Sequence, residues 1–189
     1  TLNLSSGTLN GTGNVTVSGA LTWSGGTMSG AGSTTLVSGA TLNASNAGTL
    51  TSSRPFNNQG TVNVNNGTLS LDNGGTHTGA FSVAASQTLQ FGGGTHDVNT
   101  GGSFGGTGTV AVTGGSALNV NAAMTINNPL VLAGSTFSTL GGTGNVTQNG
   151  AAVSGERLWS NIYSLGTIED QTSLVVYQNF SPVTTFWAT

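Results

Sequence analysis

Hydrophobic residues alternate with small polar residues along most of this chain. Apolar side chains recur in pairs two positions apart, for example Leu2 with Leu4 and Leu89 with Phe91. A spacing of two places both members on one face of a β-strand, while the residue between them faces the other way. Before about residue 150, no stretch carries apolar residues at helical spacing. The pattern predicts an all-β fold made of short strands.

A glycine-containing phrase returns at a regular interval between these strands. It reads G-T-G-N-V-T-V from Gly11, G-A-G-S-T-T-L from Gly30 and, four such intervals later, G-T-G-T-V-A-V from Gly106. A second phrase, G-G-T-H, begins at Gly74 and again at Gly93, the same interval apart. We therefore predict a parallel β-helix, or β-solenoid, of about 19 residues per coil. Glycine suits the corners of such a coil, which need a positive φ.

The composition changes after Gly150, and we divide the chain there. Residues 1–150 form the predicted β-solenoid, and residues 151–189 form a C-terminal segment with half of the aromatic residues. The end of a solenoid exposes unpaired backbone and core side chains unless something covers it. We therefore expect this segment to be a cap or an association surface. Its candidate interface residues are Trp159, Tyr163, Tyr177, Phe180, Phe186 and Trp187.

The beginning of the chain is already in strand pattern at Leu2 to Leu4. We expect the array either to continue upstream in a longer protein or to stack against another subunit. The chain starts without Met and shows no signal peptide or transmembrane stretch. We interpret it as a mature or excised piece of a longer precursor, without a membrane span.

The regular interval is interrupted between about Ala47 and Asn73. Pro55, which stands between Arg54 and Phe56, cannot donate a hydrogen bond to a β-ladder. We expect a loop that bulges outward from one corner.

Asparagine recurs at strand and corner positions, where carboxamides on successive coils can bond to each other. Candidates for such ladders are Asn14, Asn63, Asn119 and Asn145. The ordinary preference of Asn for turns explains most of them as well.

Charged residues make up only 4% of the chain, and this excludes one class of function. The chain has no Lys, and its two Arg residues cannot form the basic stripe that neutralises nucleic-acid phosphates. We expect no nucleic-acid partner. Because Cys is absent as well, disulfide and thiolate chemistry are excluded.

Carboxylates are too few for the enzymes that share this shape. Hydrolases need two or three converging acids, and lyases need Ca²⁺-binding acids with a strong base. Residues 1–150 contain only Asp72 and Asp97, whose separation is not a whole number of coils. We predict no enzymatic activity and no cofactor.

His77 and His96 are the candidate metal ligands. They are as far apart as the two G-G-T-H phrases that contain them, so they should stack on adjacent coils, with Asp97 beside His96. Two imidazoles can contribute to a transition-metal site. Because no third ligand is evident, we favour a stacked polar pair and assign no metal site.

Threonine pairs raise ice binding as an alternative function, because some β-solenoids display flat Thr arrays. The pairs are Thr49/Thr51, Thr76/Thr78 and Thr107/Thr109. The two intervals between them are unequal, and neither is a whole number of the predicted coils, so we expect no regular column. Outward Thr is also the ordinary filler of a β-surface.

The succession of T-L-N, G-T-G-x-V-x-V and G-T-L-S-L phrases resembles the bacterial β-strand-repeat proteins, which include autotransporter passenger regions and filamentous-haemagglutinin-like exoproteins. The resemblance covers about residues 1–150. It implies a long secreted β-helix, displayed on or released from the cell surface, that acts in adhesion, matrix or cell contact. It transfers no catalytic position to this chain.

We therefore expect a non-enzymatic, secreted β-solenoid at the cell surface or in the extracellular space. It would be a subunit of a filament or the stalk of an adhesin, and it would associate with itself through its ends. An ice-binding β-solenoid and a carbohydrate-binding adhesin module, with a glycan or cell-surface partner, remain alternatives.

Overall fold

The computed structural model describes residues 1–133 and 138–148, and the backbone of residues 153–155, 157–159, 162–164 and 175–177. For Gln148 only the backbone is described. The chain winds into a parallel β-solenoid of about seven turns, which confirms the predicted fold class. No helix in the described part of the chain is long and apolar enough to span a membrane.

Within the described part of the chain, each of the seven turns in residues 2–141 contributes one strand to each of three faces, and the strands in residues 146–177 extend the faces further. Face 1 consists of β1 (Leu2–Leu4), β4 (Ala20–Trp23), the first halves of β7 (Thr41–Ser52) and β9 (Thr61–Leu71), β11 (Ala80–Val83), β14 (Ser103–Gly106), β17 (Met124–Ile126), β20 (Val146–Gln148) and β23 (Ile162–Ser164). Neighbouring strands pair in parallel from β1 to β14 and again from β17 to β23, and β17 lies beside β14.

Face 2 follows face 1 in every turn. It consists of β2 (Thr8–Leu9), β5 (Thr27–Met28), the second halves of β7 and β9, β12 (Thr88–Phe91), β15 (Thr109–Val112), β18 (Leu130–Leu132) and β21 (Val153–Gly155). In the third and fourth turns β7 and β9 run through the corner between faces 1 and 2 as continuous strands. Their mutual register shifts between Ala44 and Thr49.

Face 3 closes each turn. It consists of β3 (Val15–Val17), β6 (Thr34–Leu36), β8 (Phe56–Asn58), β10 (Gly75–His77), β13 (Thr95–Val98), β16 (Ala117–Val120), β19 (Thr139–Gly141), β22 (Arg157–Trp159) and β24 (Val175–Tyr177). The strands from β3 to β19 form one parallel ladder, and β22 pairs with β24.

Inward side chains from successive turns stack into columns that form one continuous core. One column in face 1 runs through Leu21, Leu42, Val62, Phe81 and Phe104, and each of these side chains is at most 5% exposed. Burial of each such side chain contributes roughly 1.5–3 kcal/mol relative to exposure. The alternating pattern of the sequence therefore identifies the core correctly.

The turns are longer and less uniform than the interval between the glycine phrases. Leu2 pairs with Leu21, whereas Phe81 pairs with Phe104, which is a longer step along the chain. The average is about 21 residues per turn. Corners absorb the difference, because the strands stay paired while the connections vary in length.

The glycine phrase marks corners in general and not one corner. Its first glycine has a positive φ at each place, 121° at Gly11, 91° at Gly30 and 82° at Gly106. Gly11 and Gly30 lie between faces 2 and 3, but Gly106 is the last residue of β14, at the corner between faces 1 and 2. The interval between Gly30 and Gly106 is therefore not four whole coils. Its agreement with four times the shorter interval is a coincidence.

Candidate functional site

Face 2 carries a column of threonines on four successive turns. Thr49 pairs with Thr68, Thr68 with Thr88, and Thr88 with Thr109. Neighbouring strands are spaced by about 4.8 Å, so the four side chains repeat at that interval. All four are exposed or half-buried. The three Thr pairs considered in the sequence form no common column, since Thr76 lies in β10 on face 3. The prediction from sequence misses the column that joins Thr49 and Thr109 through Thr68 and Thr88, because it assumes that every coil has the length of the glycine interval.

A second threonine column lies two positions away on the same face. Thr8 pairs with Thr27, and their Oγ1 atoms are 3.3 Å apart. Met28 pairs with Ser52, which places Thr27 beside Thr51. Beyond Thr51 the column continues with Ser70, Gln90 and Ala111. Among the described turns, only the third places two threonines side by side on this face, Thr49 and Thr51.

Side-chain amides link adjacent turns on the other two faces. On face 1, Asn63 Nδ2 donates to Asn43 Oδ1 at 3.0 Å. On face 3, Asn119 Nδ2 donates to Asp97 Oδ1 at 2.8 Å. Two of the predicted ladder residues thus bond between coils, although Asn119 meets a carboxylate. Asn14 also bonds to the next turn, by accepting from the backbone N–H of Ser33 at 2.9 Å.

His77 and His96 meet inside the core, although the backbone ladder does not pair them. In the ladder His77 is opposite Val98, and His96 is opposite Gly75. The rings still contact each other diagonally, with His77 Nε2 3.1 Å from His96 Nδ1 and the ring planes 13° apart. Both side chains are fully buried. The predicted contact is present, but its geometry is not that of two rings in register.

The hydrogen bonds of the pair define its tautomers. His96 Nε2 lies 3.1 Å from the carbonyl oxygen of Leu71 and 3.0 Å from that of Gly93, so this nitrogen donates its hydrogen. His96 Nδ1 must then accept, and His77 Nε2 donates to it. The remaining atom, His77 Nδ1, is a buried acceptor without a partner among the described residues.

Three phenylalanines surround the histidines and exclude water. Phe91 packs against His96 with ring centres 4.6 Å apart, and Phe81 packs edge-on against His77 at 5.1 Å. Phe104 stacks on Phe81 at 5.7 Å. This cluster of five rings is called the aromatic cluster below.

Burial keeps both histidines neutral. Loss of hydration, with a smaller repulsion from His96, lowers the pKa of His77 to about 3. Loss of hydration lowers the pKa of His96 to about 4, although the Gly93 and Leu71 carbonyls oppose the shift. The nitrogens that face each other share a hydrogen bond, so a metal would have to displace a proton there. Among the described residues, no group of three His, Cys, Asp or Glu side chains could hold a metal ion.

The two described carboxylates lie on different faces. Asp72 follows face 2 and accepts from Ser70 Oγ, while Asp97 projects from face 3. The absence of enzymatic activity remains a prediction from the sequence.

Arg54 is buried. The sequence predicts an outward loop at this position, and this prediction is wrong. The side chain is 1% exposed, and its guanidinium donates to backbone carbonyls of two earlier turns. Nε donates to Gly32 at 2.8 Å, and Nη2 donates to Ser33 at 3.0 Å and to Gly13. The irregularity of the repeat lies instead at Ala44–Thr49, where the register shifts.

Glycine makes the space that Arg54 fills. A Cβ on Gly32 would lie 2.6 Å from Arg54 Nη2, and it would also overlap the backbone of Gly13. Gly32 is the second glycine of the second phrase, so the space beside Arg54 accounts for a glycine at this position. A sequence signal for this role existed, because Arg54 is the only Arg or Lys before residue 150.

The outer edge of the first turn has no strand partner among the described residues. There β1 pairs only with β4, β2 only with β5, and β3 only with β6. Four apolar side chains at this edge, Leu2, Leu4, Leu9 and Val15, are only partly buried.

The predicted interface aromatics are only partly placed. The backbone of Trp159 pairs with that of Tyr177, and the backbone of Tyr163 pairs with that of Thr147. Their side chains lie outside the described part of the chain, as do Phe180, Phe186 and Trp187 altogether. Parallel pairing nevertheless continues past residue 150, from β18 to β21 and from β20 to β23. The role of residues 151–189 as a cap or interface stays a prediction.

A scan against protein-family models finds no match, and searches of curated proteins and of solved structures find no similar chain. The class is thus defined by the fold alone, a three-sided parallel β-solenoid.

Proposed function

We propose that this protein is a non-enzymatic structural segment of an extracellular rod, either a filament subunit or an adhesin stalk. The observation that carries the proposal is the continuous stack of parallel coils, whose face 3 ladder runs without a break from β3 to β19. Within the described part of the chain, the strands of the first turn pair only with the second turn, and leucines at this edge are half-exposed. Such an edge is a template for another strand. A further coil, from the same longer protein or from a second subunit, would complete it.

The outer faces support a passive role. The described aromatic side chains Trp23, Phe56, Phe81, Phe91 and Phe104 are all buried, so they offer no flat ring to a sugar. Small neutral side chains dominate the surface, which allows rods to approach each other without charge repulsion. Secretion and cell-surface location follow from the resemblance to β-strand-repeat exoproteins and belong to the same proposal.

Proline at the open edge tests the proposal. Leu4 and Val17 each point their carbonyl toward the second turn, so the neighbouring residues Asn3 and Thr16 point their backbone groups outward. The double variant Asn3→Pro/Thr16→Pro removes two outward N–H donors and keeps the ladder to the second turn. We expect wild-type protein to form elongated particles at high concentration in negative-stain microscopy and analytical ultracentrifugation, and the variant to stay monomeric.

The matched control is Asn3→Ala/Thr16→Ala, which changes the same side chains and keeps both N–H groups. It should assemble like the wild type. Assembly by the proline variant at the wild-type concentration would refute pairing through this edge. A wild type that stays monomeric at every concentration would refute the filament form of the proposal and leave the stalk form, in which the same chain supplies the next coil.

Deletion of residues 151–189 tests the other end. If the C-terminal segment contributes to association, its loss should abolish assembly. Filaments of normal length after the deletion would show that this segment is not needed.

Ice binding is a second candidate, and the threonine column of face 2 favours it. Thr49, Thr68, Thr88 and Thr109 repeat at the inter-strand distance and present a methyl and a hydroxyl group each. The regular array is mostly one residue wide, which makes this the weaker candidate.

Thermal hysteresis of the purified protein tests it. If the column binds ice, Thr68→Lys/Thr88→Lys should abolish hysteresis, while Thr16→Lys/Thr35→Lys on face 3 should leave it unchanged. No hysteresis in the wild type would end this candidate.

A further inference from the structure

We propose that Asn10 is a site of spontaneous deamidation, a covalent modification that converts its side chain to a carboxylate. Four Asn-Gly sequences occur in the chain, at Asn10, Asn66, Asn73 and Asn149. The first three lie in the described part of the chain. The inference is independent of the proposed function, because it concerns the reactivity of one peptide bond.

The reaction needs the backbone nitrogen of the following residue close to the Asn carboxamide carbon. In the first turn, Gly11 N lies 2.7 Å from Asn10 Oδ1. The carboxamide carbon is one C=O bond from that oxygen, so nitrogen and carbon are within about 4 Å. Reacting atoms held at such distances need little further ordering. Both residues are exposed, so water and base can reach them.

The other two nitrogens are held by other acceptors. Gly67 N donates to Gln87 Oε1, on the next turn. Gly74 N donates to the carbonyl oxygen of Gly93 at 3.1 Å, and Gly74 is buried. Neither nitrogen can attack its own Asn side chain without breaking that bond first. The three described Asn-Gly sites are equivalent in sequence, but the structure distinguishes them by the acceptor of the glycine N–H.

The chemistry requires only water and base. Base removes the proton from Gly11 N, and the nitrogen then attacks Asn10 Cγ. The C–N bond of the side chain breaks, and ammonia leaves with a proton from solvent. Water then opens the five-membered succinimide at either carbonyl, which gives aspartate or isoaspartate. No oxidant, reductant or cofactor is involved.

The product adds a negative charge to a part of the molecule whose own residues, 1–53, contain no charged side chain. The charge that is already present there is the guanidinium of Arg54, which reaches the carbonyls of Gly13 and Gly32. Asn10 also lies close to the second turn, because a Cβ added to Gly30 would be 2.7 Å from Asn10 Oδ1. An isoaspartate would add one carbon to the backbone at this corner.

Peptide mapping by mass spectrometry after incubation of the folded protein tests the proposal. We expect Asn10 to convert several-fold faster than Asn66 and Asn73, and faster at mildly alkaline than at neutral pH. In water enriched with ¹⁸O, the new carboxylate should carry the label. Conversion of Asn66 or Asn73 at the rate of Asn10 would overturn the proposal, as would the absence of conversion at Asn10.

The variant Gln87→Ala provides a second test with a different readout. It frees Gly67 N from its acceptor, so deamidation at Asn66 should rise several-fold while that at Asn10 stays unchanged. The control is Gln59→Ala, which removes an exposed glutamine at another corner of the coil. No acceleration at Asn66, with the fold intact by circular dichroism, would refute the idea that the acceptor protects it.

Discussion

The first three turns and the next three fill the same kind of interior in different ways. In the first three, the guanidinium of Arg54 reaches along a corner and binds carbonyls of Gly13 and Gly32. In the next three, the aromatic cluster fills the interior with five rings. Stacked backbone carbonyls thus accept hydrogen bonds from a buried guanidinium in one region and from the neutral imidazole of His96 in the other. The two regions share one apolar core and differ in the polar group that it encloses.

The largest expected effect is in the aromatic region. Phe91 is fully buried and contacts both histidines, so Phe91→Ala leaves a cavity and exposes the polar pair. We expect a loss of about 4 kcal/mol in the free energy of unfolding. Urea denaturation followed by circular dichroism measures it. A loss below about 1 kcal/mol would mean that the cluster can collapse around the gap.

Arg54→Met tests the other region. The substitution keeps the length of the stem, but it leaves the carbonyls of Gly13, Gly32 and Ser33 without their donor. We expect a loss of about 3 kcal/mol. Hydrogen exchange should rise in the first three turns and stay unchanged near Phe91. Arg54→Lys keeps the charge and only part of the hydrogen bonding. Its free energy of unfolding should lie between those of the wild type and Arg54→Met.

Acid should separate the two regions further, because only the second contains histidine. The pKa values of His77 and His96 in the fold, about 3 and about 4, lie below the unfolded value of 6.5. The unfolded chain therefore binds more protons below pH 6.5, and stability falls as the pH drops toward the folded values. At about pH 5.5 the expected loss relative to neutral pH is about 2 kcal/mol for the pair.

Urea midpoints from neutral pH down to about pH 5 measure this loss. The charges of Asp72 and Asp97 act on His96 electrostatically, so the range stops above the usual pKa of Asp. In the control His77→Phe/His96→Leu, the urea midpoint should no longer depend on pH over this range. A pH dependence that persists in the control would have to be assigned to other groups.

The smallest expected effect is on the surface. Asn63→Ala removes the half-buried bond to Asn43, and we expect a loss of about 0.5–1 kcal/mol. Thermal denaturation compares this variant with Asn57→Ala, which removes the bond donated to Thr35 Oγ1 at 3.3 Å and the bond accepted from the backbone N–H of Thr76 at 3.0 Å. If both variants are as stable as the wild type, these outward amides only make the surface polar.

The sequence predicts the alternation and the corners because both are local. Leu2 and Leu4 share a face through strand geometry, and Gly11 needs a positive φ whatever its neighbours are. Register is not local. Thr49 and Thr109 share a column only because the turns between them have particular lengths, and no short phrase contains that information.

The histidine pair and Arg54 show the same limit inside the core. The interval between His77 and His96 predicts that their rings meet, and they do. The backbone ladder, however, places His77 opposite Val98, and the rings meet because the side chains reach diagonally across two positions. The sequence predicts an outward loop at Arg54 because Pro55 follows it and cannot donate to a β-ladder. The burial of Arg54 depends on carbonyls from two other turns, which the sequence alone does not bring together.

The corner between faces 1 and 2 has a practical consequence. Between Ala44 and Thr49 the chain carries extra residues while the strands on either side keep their partners. Insertions at this point therefore leave the ladder intact, so the exterior can diversify while the interior stays the same. The same property makes the Ser45 to Gly48 segment a suitable place to graft a foreign peptide, displayed at a fixed position along a rigid scaffold.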